Sequence, residues 1–203
     1  MTAELAAAAP GPLWEPREGK ALVIRTTTAE GKAYRGFQWP TTGPVEAPDW
    51  RPTYECGRGL HGLLWGAGDG GLLDWSEDAL WYAVEVDTAD VVDLDGKVKF
   101  PRGVVVHCGT RLDVVTLVSR HAPAGTSVVG GTATAGDGGT ATAGDGGTAT
   151  AGDEGLIVIT WWDASIERYR KAIGEVGVDG IDPCVAYRVV GGKLTKVAEE
   201  VGP

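Results

Sequence analysis

Four side chains, Cys56, His61, His107 and Cys108, are of the types that bind zinc, and four such ligands complete a tetrahedral site. Their spacing argues against one. The interval from Cys56 to His61 is not that of a zinc knuckle. His107 and Cys108 are adjacent, so in a strand they point to opposite faces and one would miss the metal. Ordinary packing is the better reading, with no metal site. Three aspartates, Asp137, Asp145 and Asp153, recur in glycine-rich turns, where calcium is the ion to consider. Calcium takes about six to eight oxygens. Each turn offers one carboxylate, so these read as solvated turn residues.

A third constellation is Tyr34-Arg-Gly-Phe37 with Leu60-His-Gly62 and Tyr82. It faintly resembles ADP-ribosyltransferases. That resemblance implies a strand Arg or His followed by Gly gripping NAD, here Arg35 or His61, and Tyr82 stacked on nicotinamide. It also requires a catalytic glutamate on a late strand. No Glu-x-Glu is evident, and Glu85 is the nearest candidate. The plainer reading makes Arg35 a surface strand residue and Tyr82 a core aromatic.

The elements that would hold these residues are read from periodicity. Residues 21–24, 32–39, 80–86, 91–92, 98–100 and 104–107 read as strands, with Asp95-Gly96 a hairpin signal. Thr110 opens a helix and Asp113 sits at the reciprocal position of a capping box. Leu112, Val115 and Val118 recur on one face, and Pro123 stops the helix. Residues 166–176, 185–190 and 194–197 read as a β-meander with Gly191-Gly192 as a hairpin turn.

The strongest signal is a repeat. Gly131-Thr-Ala-Thr-Ala-Gly-Asp-Gly138 is followed by an identical unit at 139–146 and by 147–154, which differs only at Glu154. Thr and Ala alternate with the period of a strand, and Gly-Asp-Gly-Gly supplies turn residues that tolerate positive φ. Stacked units of this kind make a parallel β-solenoid. The alternation puts the alanines on one face and Thr132, Thr134, Thr140, Thr142, Thr148 and Thr150 on the other, as ladders about 4.8 Å apart. An eight-residue unit is half a coil, so the coil is sixteen residues. Residues 125–130 and 155–160 are degenerate end units, and Trp161 and Trp162 sit where a cap would cover the outgoing end. Exposed strand ends template association, so one tryptophan is expected to face a neighbouring chain or domain.

Composition bounds the rest. The chain has 203 residues, 43% apolar and 23% charged, which excludes wholesale disorder. No apolar run approaches the ~18 residues of a membrane span. Glycine at 32 and tryptophan at 8 are both abnormal. The net charge of −10 repels phosphate backbones and disfavours a nucleic-acid partner. The three cysteines, Cys56, Cys108 and Cys184, are odd in number and scattered, which indicates a reducing compartment. The first ten residues lack the basic segment of a secretory signal.

Two longer resemblances arise. The octapeptide is similar to the half-repeat of bacterial ice-nucleation proteins, over residues 125–160. A wider resemblance is to uncharacterised bacteriophage and bacterial proteins with a "GFH"-type N-terminal domain, short repeats and a C-terminal β-cap. It rests on Tyr34-Arg-Gly-Phe37, Tyr54-Glu-Cys-Gly-Arg-Gly-Leu-His61, the repeats, Gly155-Leu-Ile-Val-Ile-Thr-Trp-Trp-Asp163, Val178-Asp-Gly-Ile-Asp-Pro183 and Tyr187-Arg-Val189. It implies a phage or actinobacterial setting, and the lysine-poor Ala/Gly/Val/Asp composition fits a GC-rich genome.

The expected fold is α+β, mostly β: a flexible arm at 1–19, a mixed domain at 20–121, a β-solenoid at 122–160 and a β-meander cap at 161–203. The expected function is a non-enzymatic phage-type structural or interaction protein without a cofactor, whose repeat is a rigid spacer or docking surface. Its interaction surface comprises the six threonines with Trp161 and Trp162. A protein partner or self-association through the C-terminal half is expected, with no nucleic acid and no membrane. The location is cytoplasmic or virion-associated. The competing reading is an NAD-handling ADP-ribosyltransferase-like enzyme using Arg35, His61, Tyr82 and Glu85.

Overall fold

A computed structural model describes residues 14–197, and the fold is mostly β. Seven strands form one antiparallel sheet: β1 (Lys20–Thr27), β2 (Gly43–Glu46), β3 (Leu60–Leu64), β4 (Leu80–Asp87), β5 (Val92–Asp93), β6 (Val98–Phe100) and β7 (Arg102–Gly109), in the order β2-β7-β4-β1-β3-β6-β5. The centre is β1 against β4, registered from Lys20↔Asp87 to Thr27↔Leu80. Both strands are apolar on both faces because both faces are covered. On one side Leu22, Ile24, Leu63, Trp81 and Ala83 meet α1 (Arg111–His121), the one α-helix among the described residues, and Trp14. On the other, Ala21, Val23, Tyr82, Val84 and Val86 meet Trp39, Val45, Phe100 and Val105.

Helix α1 begins with the capping box expected of Thr110 and Asp113. Its buried stripe is Val114, Val115 and Val118, whereas Leu112 is 71% exposed. The helical spacing includes Leu112, but it sits in the first turn and lies off the stripe that meets the sheet. A second difference falls at 32–39, where a strand was expected. Lys32 forms only an isolated bridge to Gln38, around a tight 3-10 turn at Tyr34–Gly36. Arg35 (φ 61) and Gly36 (φ 76) are both left-handed, which reverses the chain and returns Trp39 to the core beside Tyr82. Strands β2 and β3 are not apparent from the pattern because each is short and interrupted by Gly or Pro.

Trp14, within the stretch read as a flexible arm, is buried against Trp65 and His121. The rest of that arm, residues 1–13, and the last residues of the cap, 198–203, lie outside the described residues. Among the described residues no helix is long and apolar enough to cross a membrane.

The repeats make two further sheets. Strands β8 (Thr132–Ala135), β9 (Thr140–Ala143), β10 (Thr148–Ala151) and β11 (Leu156–Asp163) alternate between them. β10 pairs in parallel with β8, Thr148 on Thr132, and β11 with β9, Leu156 on Thr140. The chain therefore returns to the same sheet after sixteen residues. The layer between the sheets is thin: Ala141, Ala143, Ala149 and Ala151 with Ile157 and Ile159, closed by Val176, Ile181 and Tyr187. Gly138 and Gly146 take φ of 64° in the turns. At Gly146 a Cβ would lie 2.5 Å from the Trp75 ring, so the turn needs glycine twice over.

The segment after the repeat is not one meander. β12 (Arg168–Glu175) folds back antiparallel on β11, while β13 (Tyr187–Val190) covers β10 and β14 (Lys193–Lys196) covers β13. Each sheet needed its own terminating strand, so the cap divides between the two. The resulting orders are β14-β13-β10-β8 and β12-β11-β9.

Candidate functional site

The residues of the transferase reading are not gathered into one site. Arg35 sits in the 3-10 turn. His61 is on β3, where its Nε2 accepts from the Gly57 N–H at 3.3 Å. Burial, then the nearby Lys97, Arg25 and Lys99 charges, lower the His61 pKa to about 4. Tyr82 is fully buried on the Trp39 side of the sheet, its hydroxyl accepting from Thr27 Oγ1 at 3.2 Å, and burial raises its pKa. Glu85, three residues on, faces the other side. It accepts from Trp14 Nε1 at 2.5 Å and from the Arg17 guanidinium. Its carboxylate is occupied in tying the first described segment to the sheet.

The zinc candidates are likewise separate. The Cys56 sulfur lies 3.1 Å from Lys97 Nζ, and Cys108 shares a hydrogen bond with Tyr82 while burial raises its pKa. The buried His107 Nε2 has no hydrogen-bond partner. Among the described residues no group of three His, Cys, Asp or Glu side chains could hold a metal ion. The turn aspartates serve the stack instead: Asp137 Oδ1 accepts from the Asp153 N–H at 3.0 Å, and the Asp153 and Asp145 carbonyls accept from Gly138 and Gly130.

What the structure does build is a pair of outward faces. One carries Thr132 and Thr134 beside Thr148 and Thr150, with the Thr148 hydroxyl 3.2 Å from that of Thr132. The other carries Thr140 and Thr142, but the next rung is Leu156 and Val158. The alanines between them point inward; Ala149 and Ala151 are fully buried. Trp161 lies against Gly192 and under the Arg170 guanidinium. Trp162 packs edge-on against Tyr169, whose hydroxyl donates to the Gly68 carbonyl at 2.8 Å. Both tryptophans thus have contacts within the chain.

Two features had no obvious sequence signal. Lys99 is fully buried on β6, with Nζ held by the Glu55 carbonyl at 2.8 Å and by Thr53 Oγ1 at 3.3 Å, over the Trp50 ring. It anchors the loop before β3. Asp69, Asp145 and Tyr169 meet where the first sheet joins the repeats. There burial, followed by the two carboxylates, raises the Tyr169 pKa, and burial raises that of Asp145. A third feature was legible as composition alone: the Lys and Arg residues of β12 and β14, whose position at the sheet edges only pairing reveals.

These features define a mostly β repeat protein. No protein-family model matches the chain, and no solved structure matches it. Over about half its length the chain is homologous to ice nucleation proteins. It is 45% identical over 112 residues to an ice nucleation protein of Pseudomonas syringae, covering 53% of this chain and 10% of that protein. With that of Pseudomonas fluorescens it shares 40% over 102 residues, 49% of this chain and 8% of the relative. With ice nucleation protein InaU of Pantoea ananas it shares 35% over 107 residues, 52% of this chain and 10% of the relative. The chain therefore spans about a tenth or less of the length of the curated relatives it matches, and the matched stretch is longer than residues 125–160.

Proposed function

We propose that residues 122–160 are a short β-solenoid, capped by the strands that follow, acting as a rigid, non-catalytic element, a spacer or docking surface that presents threonine faces to a protein partner and needs no cofactor. The observation that carries this is the parallel pairing at an offset of sixteen residues, with alanine inside and threonine outside. Such a stack repeats one backbone geometry and has two outward faces. The relatives, all ice nucleation proteins, favour a repeat surface over an active site. The phage-type setting, with a cytoplasmic or virion-associated location, rests on the motifs around Phe37 and Cys56 and belongs to the same proposal.

Ordering ice is the activity named for the relatives, and the threonine rungs suit it in kind but not in extent. One face has two rungs, and the other has one before Leu156 and Val158 interrupt it. Droplets holding the monomeric chain should freeze at the temperature of buffer alone. Freezing several degrees warmer would replace the docking reading with an ice-ordering one. The solenoid itself is tested by two deletions. Removing residues 139–154 takes out one whole coil and leaves both caps in their own sheets. Removing 139–146 sends each cap to the wrong sheet. The first variant should fold and the second should be damaged; equal melting temperatures would refute the sixteen-residue coil.

A further inference from the structure

Among the described residues, Arg17, Lys20, Arg102, Arg170 and Lys196 each find a carboxylate, although all five also reach water. Three more deeply placed cations do not. Lys99 is fully buried, Arg25 and Lys97 are half-buried, and none of the three forms an ion pair with a described residue. Neutral groups hold them instead. Arg25 Nη1 donates to the His61 carbonyl at 3.3 Å, its guanidinium lies over the Trp39 ring, and its buried Nε has no hydrogen-bond partner. Lys97 Nζ donates to Cys56 Sγ at 3.1 Å. Lys99 Nζ donates to the Glu55 carbonyl and to Thr53 Oγ1. Carbonyls, hydroxyls and rings satisfy donors but do not cancel charge, and a buried cation is ordinarily compensated by an opposite one.

The three cations converge on His61. Lys99 stands across the β3–β6 ladder from it, and Lys97, two residues before Lys99, takes the same side of the strand. All three depress the His61 pKa, and no carboxylate offsets them there. The acidic residues of the region are otherwise engaged: Glu55 meets Lys99 through its carbonyl, and Asp93 Oδ1 accepts from the Asp95 N–H. Beside Lys97 runs Cys56-Gly-Arg-Gly59, where Gly57 (φ 91°) and Arg58 (φ 53°) are both left-handed. Nothing lies within 4 Å of where a Gly57 Cβ would be, and the Arg58 side chain is exposed. The outer side of this loop is therefore open to a ligand, with positive charge beside and beneath it.

We propose that Lys97 and the loop 56–59, backed by the charges of Lys99 and Arg25, bind the phosphate group of a small phosphorylated molecule. Three cations without a counter-charge favour a multiply charged anion over a single carboxylate. The net charge of −10 repels a polyanion at long range, so the local field is usable by a small ligand and not by a nucleic acid. The site belongs to the first sheet and does not depend on the reading of the repeat.

The test is a titration of the full chain with sodium phosphate and with pyrophosphate at pH ~7 and fixed ionic strength, followed by amide chemical shifts. The amides of residues 56–59 and 97–99 should shift saturably, with a dissociation constant of about 0.1–1 mM. Tighter binding of pyrophosphate assigns a diphosphate ligand, and equal binding a single phosphate group. Lys97→Met should weaken binding at least ~10-fold, whereas Lys97→Arg, which keeps the charge and suits phosphate, should retain it. Should Lys97→Met disturb the loop, Arg58→Ala provides a surface variant that should also weaken binding. Lys171→Met, on β12, should bind as wild type. The absence of a saturable shift up to ~20 mM overturns the proposal. So does acetate saturating the same amides as tightly, or Lys97→Met binding as well as the wild type.

Discussion

Replacing Ala149 with leucine tests the thin interior directly. Ala149 is fully buried on β10, between Thr-Ala-Thr-Ala strand β8 on one side and Tyr187 of β13 on the other, with Ile157 and Ile159 in the core it faces. Leucine adds three carbons where both neighbouring strands and the opposite sheet are fixed by ladders. Overpacking of this kind costs ~1–3 kcal/mol, and confinement on every side places Ala149→Leu in the upper half, about 2–3 kcal/mol. For a chain of this size each kcal/mol moves the melting temperature by about 2–4 °C, so the expected drop is about 4–12 °C. Ala133→Leu is the internal control. It has the same register and chemistry but is half-buried beside a cavity of about 210 Å³ at the incoming end, so the added carbons have room and the change should stay within ~0.5 kcal/mol. Thermal melts of the two variants, followed by near-ultraviolet circular dichroism, decide it. Equal losses would refute the looser packing of the incoming end, and a neutral Ala149→Leu would refute the alanine interior.

Thr142→Lys, exposed on β9, should change stability by no more than ~0.5 kcal/mol in a urea melt. His61, depressed to about 4, is neutral in the folded chain at pH 5–6, where the unfolded histidine (reference pKa ~6.5) gains a proton; stability should therefore fall as pH drops from ~6.5 toward ~4, and His61→Gln should flatten that part of the pH–stability curve. Asp145 has the opposite sign: its folded pKa is raised by burial, so its contribution is lost as pH rises through that value, and Asp145→Asn should melt above wild type at pH 7, with the gap closing as pH is lowered. Lys99→Met should leave the sheet intact but loosen residues 53–58, seen as faster proteolysis of that loop.

What the sequence by itself determined is what local chemistry determines. The Thr/Ala alternation and the Gly-Asp-Gly turns specify strand, turn and inward face, because side-chain alternation and positive φ act over two to four residues. The Thr110–Asp113 cap and the β1 and β4 strands are of the same kind. The tertiary structure alone decided which strand covers which. β12 folds back on its neighbour β11, but that β13 passes over it to close the other sheet against β10, Tyr187 on Ala149, depends on a partner distant in sequence, and period-two apolar patterns do not name a partner. The same holds for the dispersed candidates. Tyr82 and Glu85 share a strand, yet one is claimed by the Trp39 face and the other by Trp14, a residue seventy-one positions earlier. Leu112 fits the helical period but lies off the stripe that the sheet selects. The end strands of the repeat follow from pairing as well: three identical Thr-Ala-Thr-Ala strands look alike in the chain, and only the order of strands in each sheet leaves β8 and β9 at an edge.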